Sequence, residues 1–271
     1  MSNGLDKLAG GMGEAIQTVP ELYQGAFQPA VQETGKLLAR IPRAINAAFS
    51  GLDKWILNKE YSIDETKKLL AQKLENVDPN KIVEPEPYVA IPAIQAISYS
   101  MDSEELRDLY ANLLAKAMIK EIKKSVHPSF VEIIKQMSPI DAIIFKKIME
   151  KKNGARPLIT ISERAENGGN LPIYENCSWI KDYSIKTSCT SFDSLSRLGL
   201  IQLPLVGYAD DSVYDEVINN PLFKDAEIIV KRNLFPKMSL YHEKRFIKLN
   251  ELSTQFYNIC VLDKNFEAEN Y

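Results

Sequence analysis

Apolar residues recur at three- and four-residue steps through most of the first 150 positions, the spacing that draws a stripe down one face of a helix. Leu37, Leu38, Ile41, Ile45, Ala48, Phe49, Leu52, Trp55 and Ile56 make the first stripe. Pro42 interrupts it. Proline cannot donate a backbone hydrogen bond and disfavours helix at Ile41, so the pattern predicts two helices or one kinked helix. Ser62 followed by Glu65 fits a capping box that opens a helix running to about Asn76. The segment DPNKIVEPEPYV, with its prolines and charges, reads as an extended surface connection. A short helix follows near Ala90 to Tyr99. The clearest helix runs from about Ser103 to Lys120, with Leu106, Leu109, Tyr110, Leu113, Leu114, Ala117 and Met118 on one face. Phe130, Ile133, Ile134 and Met137 stripe the next. Ser138-Pro139 then supplies an N-cap and a proline at the first helical position, with Ile140, Ile143, Ile144 and Ile148 facing inward.

Around Lys151 the texture changes. NGARPLITIS reads as a turn and a short β-prone run, and GGNLPIYENCSW as a loop with a further short strand. SIKTSCTSFDSLSRLGLIQLP predicts a helix from about Thr187 to Leu198, ended by Gly199 and continued by a strand. The closing EKRFIKLNELSTQFYNICV predicts a strand from Arg245 to Leu249 and a helix with Leu252, Phe256, Ile259 and Cys260 inward. The expected fold is mainly α with a small α+β part. Residues 1–28 form a mobile or loosely helical segment, and 29–137 a helical domain. Residues 138–262 form a winged-helix-like domain with a long insertion at about 210–241, and 263–271 a tail.

Composition narrows the function classes. A net charge of -3 gives no general attraction to nucleic acid or to a membrane. Cys177, Cys189 and Cys260 lack metal-ligand spacing, and the opening residues do not read as a secretory signal; both point to reduced thiols in a cytoplasm. No run reaches the roughly 20 apolar residues of a membrane-spanning helix.

Candidate chemistry is sparse. His127 reads as a helix cap or packing residue, and His242 as part of a turn before the last strand. Neither has a second His, or a Cys at ligand spacing, to make a zinc site. Gly10, Gly11 and Gly13, like Gly168-Gly169, lack the Lys-Ser/Thr that completes a phosphate-binding loop. Asp102, Glu104 and Glu105 suit a helix N-terminus. Asp210, Asp211, Asp215 and Glu216 read as a solvated acidic face. The expectation is a protein that is not an enzyme and needs no cofactor.

Two stretches invite a binding role. The helix ending at Gly199 presents Lys186, Ser188, Thr190, Ser194 and Arg197, a set that could face a DNA groove. Its few cations and the acidic insertion place DNA behind a protein partner. Residues 35–57 carry Lys36, Arg40, Arg43 and Lys54 beside the stripe of Leu37, Leu38, Ile41, Ile45, Phe49, Leu52, Trp55 and Ile56. That face suits the helical core, a second copy of the chain, or the inner surface of a membrane.

Four segments carry a resemblance: HPSFVEIIKQMSP (127–139), QPAVQETGKLLARIPRAIN (28–46), KIVEPEP (81–87) and EELRDLYANLLAKAM (104–118). Their order resembles the Abi-alpha family, named for abortive infection, over roughly Gln28 to Cys260, the tail KRFIKLNELSTQFYNIC included. The resemblance implies bacterial antiviral defence, in which an infected cell halts before phage release. It brings no catalytic motif to place on these residues. The expected role is a non-enzymatic defence component acting through protein contacts or self-assembly as a homo-oligomer. A membrane-directed effector and a DNA-binding regulator are the alternatives.

Overall fold

The computed structural model describes residues 40–49, 60–100, 102–151, 154–178, 180–233, 235 and 237–263. These are mainly α-helical with one small antiparallel sheet. Helices α1 (Arg40–Phe49), α2 (Glu60–Leu74), α3 (Pro87–Ile97), α4 (Glu104–Ala117), α5 (Ser129–Lys135) and α6 (Pro139–Glu150) come first. The hairpin β1 (Pro157–Ala165) and β2 (Asn170–Cys177) leads to α7 (Ile185–Arg197). Two further helices, α8 (Asp215–Ile218) and α9 (Pro221–Arg232), precede β3 (Met238–Phe246). The chain then forms α10 (Glu251–Phe256), which runs into a π-helical turn, Tyr257–Val261.

The core forms around α4. Every residue from Leu109 to Ala117 is buried, including Asn112 and Lys116, so this helix is enclosed rather than amphipathic. Helices α2, α3, α5 and α6 and the π turn pack on it. Phe256 meets Phe130 and Phe145 edge-on, with ring centroids 5.6 and 5.5 Å apart. The resulting cluster runs from Ala44 to Val261 and crosses residues 137 and 138 without a break.

A π turn leaves backbone carbonyls without helical partners, and α4 supplies them. Lys116 Nζ donates to the carbonyls of Asn258 and Leu262, the latter at 2.7 Å. One turn earlier, Asn112 Nδ2 donates to the Cys260 carbonyl at 3.0 Å. A cation at a helix C-terminus is favoured by the local dipole. Burial nevertheless lowers the Lys116 pKa to about 8.

In the sheet, β1 lies between β2 and β3 and pairs antiparallel with both. Ile159 and Ile161 turn to one face, where Tyr214, Val217, Phe223, Ala226 and Val230 cover them as a second cluster. Strand β2 bulges. Ile159 pairs Cys177 but Ile161 pairs Tyr174, so β2 carries an extra residue there, and Asn176 takes a left-handed φ of 55°. The bulge aims Asn176 into a buried polar network. Its Nδ2 donates to Asp193 Oδ1 (2.8 Å), and its Oδ1 accepts from Arg245 Nη1 (2.9 Å). Arg245 also donates to the carbonyls of Leu203 and Pro204.

Several expectations need correction. Pro42 lies within helix Arg40–Phe49, which continues through it, and the part of the stripe before Arg40 lies outside the described residues. Helix α2 already includes Glu60 and Tyr61, so Ser62 is within the helix and not its cap. The extended connection ends early, because Pro87 takes the first position of α3. On α6 the inward set is Asp141, Ala142, Ile144, Phe145 and Ile148, while Ile140 is exposed. The strand expected after Gly199 is a single bridge, Gln202 to Lys248. The last strand starts at Met238, earlier than Arg245. Within the insertion at about 210–241, α8 and α9 help close the second cluster, with Tyr214, Val217 and Phe223, and its last residues from Met238 belong to β3.

Candidate functional site

Local signals set the helices that frame the polar surface between α6, α7 and the sheet. Ser138 Oγ accepts from Asp141 N (3.1 Å), and Asp141 Oδ2 accepts from Ser138 N (2.9 Å), a reciprocal capping box. The same carboxylate oxygen accepts from Ser194 Oγ at 3.1 Å, tying α6 to α7. Ser184 caps α7 by accepting from Thr187 N. At the other end Gly199 adopts φ +76°, and Leu200 N donates to the Leu195 carbonyl, the closing bond of a Schellman turn.

The five residues of the DNA reading divide. Lys186, Thr190 and Arg197 are exposed. Arg197 Nη1 donates to Gln136 Oε1 at 2.8 Å, and Thr190 Oγ1 donates to the Lys186 carbonyl at 3.1 Å. Ser188 is fully buried, so it leaves the outward set, and Ser194 is spent on Asp141. What faces solvent is short of the cations that phosphate binding draws on.

Of the membrane or oligomer stripe, Leu37, Leu38, Leu52, Trp55 and Ile56 lie outside the described residues, and Ile41 and Phe49 belong to α1. Ile45 is buried in the main core with Ala44, and α1 packs on α2 and α3. Among the described residues no helix is long and apolar enough to cross a membrane.

Titratable groups fall into separate places. His127 Nδ1 accepts from Ser129 N at 3.1 Å at the start of α5, the capping role expected of it. His242 lies within β3 opposite Ile161, not in a turn. Its Nε2 stands 2.7 Å from Glu227 Oε1 of α9, and its ring meets Phe223 edge-on. Burial lowers the His242 pKa, and the Glu227 carboxylate opposes that shift in part. Asp210, Asp211, Asp215 and Glu216 are exposed, with Asp211 pairing Lys244 and Glu216 pairing Lys151. Gly168 adopts φ +87° in the β1–β2 turn, a geometric use of glycine, and Gly10, Gly11 and Gly13 lie outside the described residues.

A cleft of about 370 Å³ opens between α4, α6 and the chain beyond the π turn. Glu104, Glu105, Asp108, Glu150, Lys146 and Lys147 line it, a mixed-charge surface without a nucleophile set against a base. Among the described residues no three His, Cys, Asp or Glu side chains gather as a metal ion requires.

Two pairings escaped sequence reasoning. Cys177 and Cys189 place their sulphurs 3.4 Å apart, and His242 meets Glu227. Each joins different elements, so no fixed spacing announces it. The alternation from Met238 to His242 is the one local hint that His242 lies on a strand.

No curated protein and no solved structure matches the chain. The family model described as abortive infection alpha matches residues 58–260, most of the chain, and the protein therefore belongs to the abortive infection alpha family.

Proposed function

We propose that the protein is a non-enzymatic component of abortive infection that acts by binding a protein partner or further copies of itself. Family membership supplies the setting. The observation that carries the mode of action is the outer surface of α9. This helix buries Phe223, Ala226 and Val230 against the sheet, so its other side should be polar. Instead Ile228 and Ile229 stand 45% and 50% exposed, and Phe235 just beyond the helix is 62% exposed. Leu205 and Val206, on the loop before the insertion, are also in water. Single exposed apolar residues are ordinary, but adjacent ones on a packed helix suit a contact surface.

We further infer a winged-helix-like organisation for residues 138–262, with α6, α7 and the three strands as its frame and α8 and α9 as the insertion. The chain order helix, hairpin, helix, strand and helix supports it. In this reading the insertion replaces a nucleic-acid wing with a protein-contact element.

Light scattering across a concentration series, with capture from phage-infected cells, tests the proposal. Assembly or a captured partner is expected from the native chain, and loss of either from the Ile228→Glu, Ile229→Glu double variant with phage protection lost in parallel. A chain that stays monomeric at every concentration and captures nothing from infected cells overturns it.

A further inference from the structure

The three cysteines read as scattered in sequence, yet the fold brings two of them into contact. Cys177 ends β2 and Cys189 lies one turn into the middle of α7, with sulphurs 3.4 Å apart. Both are free thiols. Their environments differ in a useful way: Cys177 is completely buried in the second cluster, whereas Cys189 is half-buried at its edge. A disulfide needs the sulphurs at about 2.05 Å, so closure asks for a movement of little more than an ångström. The backbone around the pair is held ready. The bulge at Asn176 immediately precedes Cys177, and its bond to Asp193 ties β2 to α7 one turn beyond Cys189.

We propose that Cys177 and Cys189 are an oxidisable pair that closes to a disulfide when hydrogen peroxide reaches Cys189. The Cys189 thiolate attacks the near peroxide oxygen, the O–O bond breaks, and hydroxide leaves and takes up the thiol's proton as water. Cys189 is then a sulfenic acid. The Cys177 sulphur displaces its hydroxyl group, which departs with the Cys177 proton as a second water. Two thiols lose two electrons in total, and one peroxide gains them. The hydrogen bond with Cys189, and then burial, push the Cys177 thiol above its ordinary range, so it stays protonated until it resolves the sulfenic acid. Cys260 is fully buried in the main core, at the π turn, and takes no part. The bond would clamp α7, with its outward Lys186, Thr190 and Arg197, to the end of β2. This proposal does not depend on the function proposed above.

The test is a non-reducing peptide map of the full native chain after brief hydrogen peroxide treatment, with intact mass beside it. Expected is loss of the mass of two hydrogens, a crosslinked peptide joining 177 to 189, and return of both thiols with dithiothreitol. The Cys260→Ser variant should behave identically. Cys177→Ser should instead leave a Cys189 sulfenic acid that dimedone traps. A native map in which Cys189 advances to sulfinic acid while Cys177 remains a thiol overturns the proposal, as does an unreacted pair. The native map alone decides, even where a variant fails to fold.

Discussion

The two regions of this molecule are held by different means. Around α4, apolar side chains from α2, α3, α5, α6 and the C-terminal π turn converge on one enclosed helix, and Asn112 and Lys116 there serve the carbonyls of the π turn and of Leu262 beyond it. Around β1, a smaller apolar cluster shares the work with a polar network of Arg245, Asn176 and Asp193, and with Tyr214, whose hydroxyl accepts from Tyr208 N and donates to the Arg245 carbonyl. Apolar packing tolerates small adjustments, whereas a hydrogen-bonded network depends on each member's position. The first region is therefore the stability reserve of the chain. The second holds the paired thiols, the His242–Glu227 contact and the exposed isoleucines, features able to respond to something outside.

Truncation of a core phenylalanine is the harshest test of that contrast. Phe256→Ala removes the ring between Phe130 and Phe145 and should cost roughly 3–5 kcal/mol in denaturant unfolding. Phe223→Ala in the second cluster should speed amide exchange between residues 208 and 246 while α4 keeps its protection. Equal loss of protection in α4 would show one cooperative unit instead of two.

Lys116→Met comes next. It removes the lysine's hydrogen bonds to the Asn258 and Leu262 carbonyls and should cost about 2 kcal/mol, part of the loss being returned because a buried charge disappears. The pH dependence sharpens this. With the native pKa near 8 and the unfolded value at 10.5, the unfolded chain holds more protons in that window, so wild-type stability rises with pH there. The advantage of wild type over the Met variant should grow from about pH 8 to about 10.5, as read by urea midpoints. A shrinking gap would place the native pKa above the unfolded value and contradict burial that disfavours the charged lysine.

Gly207→Ala probes the network side. A Cβ at Gly207 would stand 2.8 Å from Tyr214 Oη and 2.9 Å from the Lys244 carbonyl, so the Tyr208–Tyr214–Arg245 chain must give way. The expected cost is about 1–3 kcal/mol, with exchange rising first in β3. Tyr110→Phe should do least. Among the described residues the buried Tyr110 hydroxyl has no hydrogen-bond partner, and burial raises its pKa, so its removal should leave the unfolding midpoint unchanged or slightly higher. A loss above about 1 kcal/mol would reveal a partner for that hydroxyl.

Periodicity and capping chemistry made the helical region legible. The stripe of α4, the Ser138 cap, the Gly199 stop and the inward Phe256, Ile259 and Cys260 all follow from interactions within a few residues of one another. The resemblance read from four short segments agrees with the family match over residues 58–260. Asn112 and Lys116 were hidden, because polar residues on a helix read as its solvent face unless the partner that buries them is known.

The sheet region was less legible for the same reason. Strand β3 is half polar, since His242, Lys244 and Arg245 find their partners on α9, on the Asp211 turn and on β2. Its pattern therefore resembles a loop. By itself the sequence determined most helices of the first region, several of their ends and the family, all of which rest on local spacing. Tertiary structure alone decided which polar atoms are buried, that the insertion packs on the sheet, and that Cys177 meets Cys189. Those outcomes depend on contacts between residues far apart in the chain or on separate elements, where no short-range rule links one side chain to the other.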